Sequence, residues 1–328
     1  MLRPNLRALS LITLVAAATL AGCSKTGEAP APVEAPPPPV AEAPPPPPKP
    51  EAVHAFKIGE LSAFALRDGG IDGPNDNKTF GIGLKPEEVA AVLTANDLPT
   101  DKVSLSIQPL LVKSGDKVLL FDTGAGGAFG PGAGQLPAAL AEAGVDPASV
   151  TDIFISHVHG DHIGGLVSAA GALNFPNATI HIQKAEWKFM QEVKADMAAK
   201  MGLGNRDAIV SAIKPKVDAF KPGAELLKGV VTAVDIKGHT PGHSGYKITS
   251  GTDSILYVGD SMHHYVISVQ KPEWIIAYDH DGALGAKSRA AVIADSAASG
   301  QRIYAVHFPY PGIGKFEKKD AGYVWVAE

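Results

Sequence analysis

The run Ser156-His157-Val158-His159-Gly160-Asp161-His162-Ile163-Gly164-Gly165 constrains this chain more than any other feature, because three imidazoles and a carboxylate fall within six positions closed by glycines. A cluster of that density is a metal site, since a bound cation satisfies several imidazoles and a carboxylate at once. Val150 to Ser156, just before it, is β-branched and apolar enough to be a buried strand, so the histidines fall where that strand ends and are held by a rigid sheet. His157 and His159 flank one residue and can point the same way, whereas the adjacent Asp161 and His162 can point to a different centre. The spacing therefore predicts two metals.

Later histidines and an aspartate stand in the same kind of place, each after a strand-like run: Val234 to His239 and His243, Ile255 to Asp260, and Ile303 to His307. Together with the first run they make a complete ligand set for two ions.

In this order the motifs resemble those of the metallo-β-lactamase-fold hydrolases, from about Ala55 to the C-terminus. The resemblance implies an α/β (α+β) fold, the four-layer αββα metallo-β-lactamase sandwich, with helices covering two packed sheets. It implies that His157, His159 and His239 bind one metal, that Asp161, His162 and His307 bind the other, and that Asp260 bridges them. Three neutral imidazoles favour Zn²⁺, and the mixed site also accepts Mn²⁺, Fe²⁺ or Co²⁺, so zinc is the default for two divalent ions. Two cations roughly 3.5–4 Å apart can hold a bridging hydroxide at neutral pH. Solvent is then the nucleophile, and the chain has no Gly-x-Ser-x-Gly elbow to offer another. Asp161, a nearby histidine or water protonates the leaving group. Asp161, Asp260 and His263 form the expected catalytic set, because His263, three residues after Asp260, takes a position that faces substrate in related lactonases.

Within the superfamily, the resemblance is to the branch of methyl parathion hydrolase, lactonases and aryl esterases. It rests on Asp122-Thr123-Gly124-Ala125-Gly126-Gly127-Ala128-Phe129-Gly130-Pro131, on Gly238-His239-Thr240-Pro241-Gly242-His243 and on the run from His307 to Gly314. It implies a hydrolase of lactones or carboxylic (aryl) esters, acyl-homoserine lactones among them, with phosphotriesters as a side activity. An organophosphate hydrolase of the same mechanism is the alternative. Too little chain follows His307 for the helical domain of a glyoxalase II, and zinc β-lactamases generally lack an aspartate in the place of Asp260. A catalytically silent envelope lipoprotein is the non-enzyme alternative.

The N-terminus and the composition indicate where the chemistry happens. Residues 1–22 read as a lipoprotein signal peptide: Arg3 and Arg7 precede the largely apolar Ala8 to Ala21, and the run is too short and too poorly flanked for a membrane span. Leu20-Ala21-Gly22-Cys23 resembles a bacterial lipobox, which implies lipidation at Cys23, the only cysteine, and an anchor holding the protein to a membrane. Ser24 in the next position suggests the outer membrane, with the protein facing the periplasm. Residues 23–52 then form a tether, twelve prolines between Thr26 and Glu51 favouring polyproline II, at roughly 3.1 Å per residue a reach on the order of 70 Å. Residues 53–328 form one catalytic domain. The net charge of −5 shows no basic stripe for a nucleic-acid backbone, so the expected partner is a small-molecule ester or lactone. Related enzymes are often dimers, which leaves a homodimer open.

Strands are expected near Phe56–Leu66, Leu105–Val112, Lys117–Phe121, Asp152–Ile155, Thr179–Gln183, Val230–Ile236, Gly245–Ile248, Ser254–Val258 and Ile303–Val306. Helices are expected over Lys85–Ala95, Gly134–Ala143, Lys184–Met201, Arg206–Ala212 and Ala286–Ala298. Asp122 reads as an orienting residue that hydrogen-bonds ligands without touching metal. Gly124 to Gly134 lacks the ending of a P-loop and reads as a flexible rim of the cleft. His243 is expected to support the site, and Trp274, Phe308 and Tyr310 to line an apolar pocket or, as isolated aromatics, to pack in the core. His54, His181, His264 and His280 carry no special signal.

Overall fold

The computed structural model describes residues 51–127 and 129–328; the expected signal peptide, Cys23 and the expected proline tether up to Pro50 lie outside the described residues. Two seven-stranded sheets dominate. The first runs, in spatial order, Val53–Ile58, Leu61–Leu66, Leu110–Ser114, Lys117–Phe121, Asp152–Phe154, Thr179–Gln183 and Val217–Phe220. The second runs Glu225–Leu227, Val231–Asp235, Ser244–Ser250, Asp253–Tyr257, Arg302–Tyr304, Ile313–Lys319 and Gly322–Ala327. A separate hairpin pairs Gly69–Pro74 with Lys102–Ile107.

The layering follows from strand periodicity. Side chains alternate faces, so in the first sheet Leu110, Val112, Leu119 and Phe121 enter the core between the sheets, whereas Leu111 and Leu120 enter the core beneath the helices Leu136–Glu142, Lys184–Glu192 and Arg206–Ile213. In the second sheet Ile255 and Tyr257 face the inter-sheet core, while Leu256 joins Val269 and Ile293, from helices Ile267–Gln270 and Gly282–Ser299, in a third core. Helix, sheet, sheet and helix follow in that order, which is the αββα arrangement. Among the described residues, no helix is long and apolar enough to cross a membrane.

Several sequence expectations need correction. Phe56–Leu66 is a hairpin rather than one strand, because Gly59 takes a positive φ of 53° and turns the chain between Ile58 and Leu61. Leu105–Val112 splits at Gln108-Pro109, its first part pairing with Gly69–Pro74 and its second joining the first sheet. Lys184–Met201 breaks at Val193-Lys194 into two helices. The strands at Val217–Phe220, Glu225–Leu227, Ile313–Lys319 and Gly322–Ala327 had no expectation attached.

The parallel pairs place the site. Lys117–Phe121 runs parallel to Asp152–Phe154, and Asp253–Tyr257 parallel to Arg302–Tyr304, the second pair joined through helix Gly282–Ser299. Asp122, the 157–162 run, Asp260 and His307 each follow the C-terminal end of one of these strands by a few residues, so both sheets deliver their polar residues to the same edge.

Candidate metal centre

Asp122 begins the site. It follows its strand in the left-handed region (φ 58°), a conformation aspartate tolerates, and is completely buried. Its Oδ1 accepts the Ser156 N–H at 2.7 Å; its Oδ2 accepts the Ser156 and Tyr257 hydroxyls at 2.6 and 2.7 Å and lies 2.7 Å from His162 Nδ1. Thr123 adds backbone and hydroxyl hydrogen bonds to the His162 carbonyl. Asp122 thus orients His162 and ties the 157–162 loop to both sheets.

Three further histidines are aimed in the same way, whereas His159 turns its Nδ1 inward, 2.9 Å from His239 Nε2. His239 Nδ1 lies 3.0 Å from Asp279 Oδ1, His307 Nδ1 is 2.6 Å from the Ser106 carbonyl, and His157 Nδ1 is 3.0 Å from Ser156 Oγ, whose proton goes to Asp122. Each outward contact takes the Nδ1 proton and leaves the Nε2 lone pair facing inward. The inward atoms form two groups: His157, His159, His239 and Asp260, and Asp161, His162, Asp260 and His307, the ligand atoms of each lying within 4.8 Å of one another. Asp260 belongs to both. Its Oδ1 is 3.1 Å from His162 Nε2, and its Oδ2 lies 3.1 Å from His307 Nε2, 3.4 Å from His239 Nε2 and 3.2 Å from His263 Nε2.

These contacts test whether the residues fit metal ions. His239 Nε2 sits 3.1 Å from His157 Nε2 and 2.9 Å from His159 Nδ1, lone pair against lone pair. His162 Nε2 and Asp260 Oδ1 are buried with no hydrogen-bond partner. Such groups are costly when left unpaired, and a divalent cation in each group would satisfy them. The donor set fits two divalent metals.

Electrostatics agree. Burial and neighbouring imidazoles push His157 and His239 well below the ordinary histidine range, and burial brings His159 to about 4, so these three are neutral donors. His162 moves the other way: its burial penalty is outweighed by the Asp260, Asp161 and Asp122 carboxylates, which without a cation hold it well above its ordinary value. Asp260 is held well below the carboxylate range, His162, His307 and His157 overcoming its burial.

Supporting residues complete the frame. His243 joins neither group; its Nδ1 donates to the Ile236 carbonyl at 2.8 Å and its Nε2 accepts the Asp260 N–H at 2.9 Å, so it positions Asp260. Gly259 lets the two approach, because a Cβ there would lie 2.6 Å from His243 Nε2 on a backbone with φ +51°. Glu186, fully buried, accepts the Val158 N–H at 2.9 Å and the Gly242 N–H at 2.8 Å, stapling the first histidine loop to the second, and burial raises its carboxyl to about 7. Asp68 accepts the N–H groups of Ala125, Gly134 and Leu136, so the rim loop expected to be flexible is clamped at both feet.

The two groups lie at the floor of a cavity of about 490 Å³. His159, Asp161, Asp260, His263 and His307 line its polar side, with Tyr278, Asp279, His280 and Lys200 nearby; Ile71, Leu105, Phe129, Phe189, Met197 and Met201 line its apolar side. His263 stacks on His307 at 5.5 Å, with both ring nitrogens buried and unpartnered. The expected aromatic lining is corrected. Phe308 is completely buried and packs edge-on against Trp325, Trp274 packs beside Phe80 and Val89, and Tyr310 lines a separate cavity with Arg67. Phe129, Phe189 and Tyr278 take their place. Sequence reasoning missed Glu186, Asp279 and Arg289. Arg289 did carry a signal, as a charge among Gly285, Ala286, Ile293 and Ser296 on the buried stripe of its helix; Asp279 had none.

Comparison with known proteins gives the context for this geometry. The family profile described as the Metallo-beta-lactamase superfamily matches residues 106–295. Among solved structures, the chain is similar to AidC, a dizinc quorum-quenching lactonase in complex with a product, N-hexanoyl-L-homoserine, at 32% identity and TM-score 0.78, covering 84% of this chain and 97% of that one. It is similar to AbOPH, a hydrolase in the beta lactamase superfamily, at 29% identity and TM-score 0.76 with the same coverage. Probable metallo-hydrolases of Mycobacterium bovis and Mycobacterium tuberculosis are each 26% identical over 194 residues, 49% of this chain, and the chain spans 58% of the length of these curated relatives.

Proposed function

The chain belongs to the metallo-beta-lactamase superfamily and is a metal-dependent hydrolase, and from that premise we propose that it cleaves lactones and carboxylic (aryl) esters, acyl-homoserine lactones among them, with phosphotriesters as a side activity. His157, His159 and His239 would hold one ion, Asp161, His162 and His307 the other, and Asp260, which belongs to both donor groups, would serve both, with zinc as the metal. Two divalent ions in these places supply Lewis acidity and an acidified water.

The protein's own groups do the rest. The apolar wall of Phe129, Phe189, Met197 and Met201 takes the acyl or aryl arm and excludes water around it, while the polar floor receives the scissile carbonyl. His263 donates a hydrogen bond to an oxygen of the substrate, lining the cavity with ring nitrogens that are buried and make no hydrogen bond to the protein, Nε2 lying 3.2 Å from Asp260 Oδ2. Asp161, whose burial penalty is outweighed by His162 and His307, is held down to about 2 and is a carboxylate in the resting site. The observation that carries this reading is the meeting of two His/Asp donor groups at a cavity that Phe129, Phe189, Met197 and Met201 also line.

The deciding experiment compares kcat/KM for an N-acyl-homoserine lactone with that for a dialkyl aryl phosphate, using the metal-loaded full chain. A ratio far above one is expected. A ratio far below one would make the protein an organophosphate hydrolase, a reading in which Phe129, Phe189 and Tyr278 hold the aryl leaving group. The envelope assignment belongs to the same proposal and rests on the Leu20 to Cys23 motif. Cys23→Ala should abolish incorporation of labelled fatty acid and release the protein from the outer-membrane fraction; unchanged labelling would refute the anchor.

A further inference from the structure

Helix Gly282–Ser299 buries one arginine. Arg289 is completely buried, and its guanidinium donates to three carbonyls: Nε to Pro272 at 2.9 Å, Nη2 to Trp274 at 2.8 Å and Nη1 to Ser261 at 3.4 Å. A buried cation is tolerated only when it is paired, and the carboxylate beside this one is Asp279, whose Oδ2 lies 3.5 Å from Nη1. The other oxygen of Asp279 is the one that meets His239 Nδ1 at 3.0 Å. Helix and carboxylate fit closely, for a Cβ on Gly285 would come within 2.6 Å of Asp279 Oδ2.

We propose that Arg289 and Asp279 form a positioning relay for His239: Arg289 holds Asp279 in place, and the Asp279 oxygen holds the His239 proton on Nδ1, so that Nε2 is presented to His157 and His159 as a lone pair. The relay rests on the reading of His239 as a metal donor.

The alternative tautomer shows why such a device is needed. With its proton on Nε2, His239 would direct an N–H at His157 Nε2 and His159 Nδ1, at 3.1 and 2.9 Å, and the three nitrogens could not share a cation. A carboxylate on Nδ1 removes that state and makes the ring a stronger ligand. Arg289 also ties Pro272 and Trp274, shortly before Asp279, to Ser261, the neighbour of Asp260, so one side chain sets the distance between the Asp279 segment and the carboxylate shared by both groups.

The test is a Co²⁺ titration of the chelator-treated full chain, followed by visible absorption, for wild type, His239→Ala, Asp279→Ala, Asp279→Asn and Arg289→Met. His239→Ala should remove one of two binding steps. Asp279→Ala should weaken that same step by about 10–100-fold and leave the other in place. Asp279→Asn, which keeps an acceptor oxygen without the charge, and Arg289→Met should fall between Asp279→Ala and wild type. ¹⁵N-imidazole NMR should show His239 protonated at Nδ1 in wild type and as a mixture of tautomers in Asp279→Ala. If His239→Ala leaves both steps intact, the ligand assignment fails and the relay with it. If it removes a step while the Asp279 variants bind as wild type, or if the tautomer does not change, the relay alone is overturned. Should Asp279→Ala fail to fold, unchanged binding by Asp279→Asn overturns the relay by itself.

Discussion

At the scale of single residues, the site is a set of buried groups that satisfy one another only around cations. Asp260 has the largest share, since it lies within 3.4 Å of nitrogens from four histidines. Asp260→Ala should lower turnover beyond the roughly 100-fold that loss of a supporting partner costs and reduce bound metal in both groups; near-normal activity with full metal content would refute its shared role. Glu186 has a pH signature. Its folded value of about 7 lies above the ordinary 4.5, so the folded state holds a proton that the unfolded chain has released, and the stability from this group is full below pH 4.5 and lost as pH rises toward 7. His159 and His243, both lowered to about 4 by burial, act in the opposite sense over an overlapping window, so the Glu186 contribution is read as a difference between proteins. Denaturation of chelator-treated wild type and Glu186→Gln should show the variant gaining on wild type by roughly 3 kcal/mol between pH 4.5 and 7. Parallel profiles would mean that Glu186 does not titrate there.

At the scale of elements, two glycines around helix Gly282–Ser299 separate stability from function. Gly300 caps the helix in the left-handed region with open space around it, so Gly300→Ala should cost about 1–2 kcal/mol by chemical denaturation while kcat/KM stays at the wild-type value. Gly238 has φ +125°, and a Cβ there would lie 2.2 Å from the Gly285 nitrogen of the same helix. Gly238→Ala should therefore carry a comparable strain, push the His239 loop off the helix and weaken metal binding as well. Equal metal affinity in the two variants would show that the contact with Gly285 does not place His239. Elements were legible in the sequence where a short apolar run or a clean alternation was uninterrupted, as in Lys117–Phe121 and Thr179–Gln183 respectively. They were lost where polar residues continue a strand beyond its inner neighbour, as in Ile313–Lys319, or where a long helical pattern hid the break at Val193-Lys194.

At the scale of the whole molecule, the two sheets meet at an edge that is stable only with its donors satisfied. Chelation should lower the melting temperature. A free metal concentration 1,000 times the dissociation constant contributes about 4 kcal/mol per site, and restoring Zn²⁺ should recover the loss; an unchanged melting temperature would count against structural coupling of the ions. The sequence by itself determined the histidine and aspartate motifs, their positions after strands and the alternation that sorts side chains between the cores, because these are local patterns written in a few consecutive residues. Only the tertiary structure decided which nitrogens face inward, that Phe129 and Tyr278 rather than Phe308 and Trp274 wall the cavity, and that Glu186, Asp279 and Arg289 hold the donors in place. The physical reason is that each of those facts is a contact between segments far apart in the chain, and a lone carboxylate or arginine acquires its role from the partner that burial forces upon it.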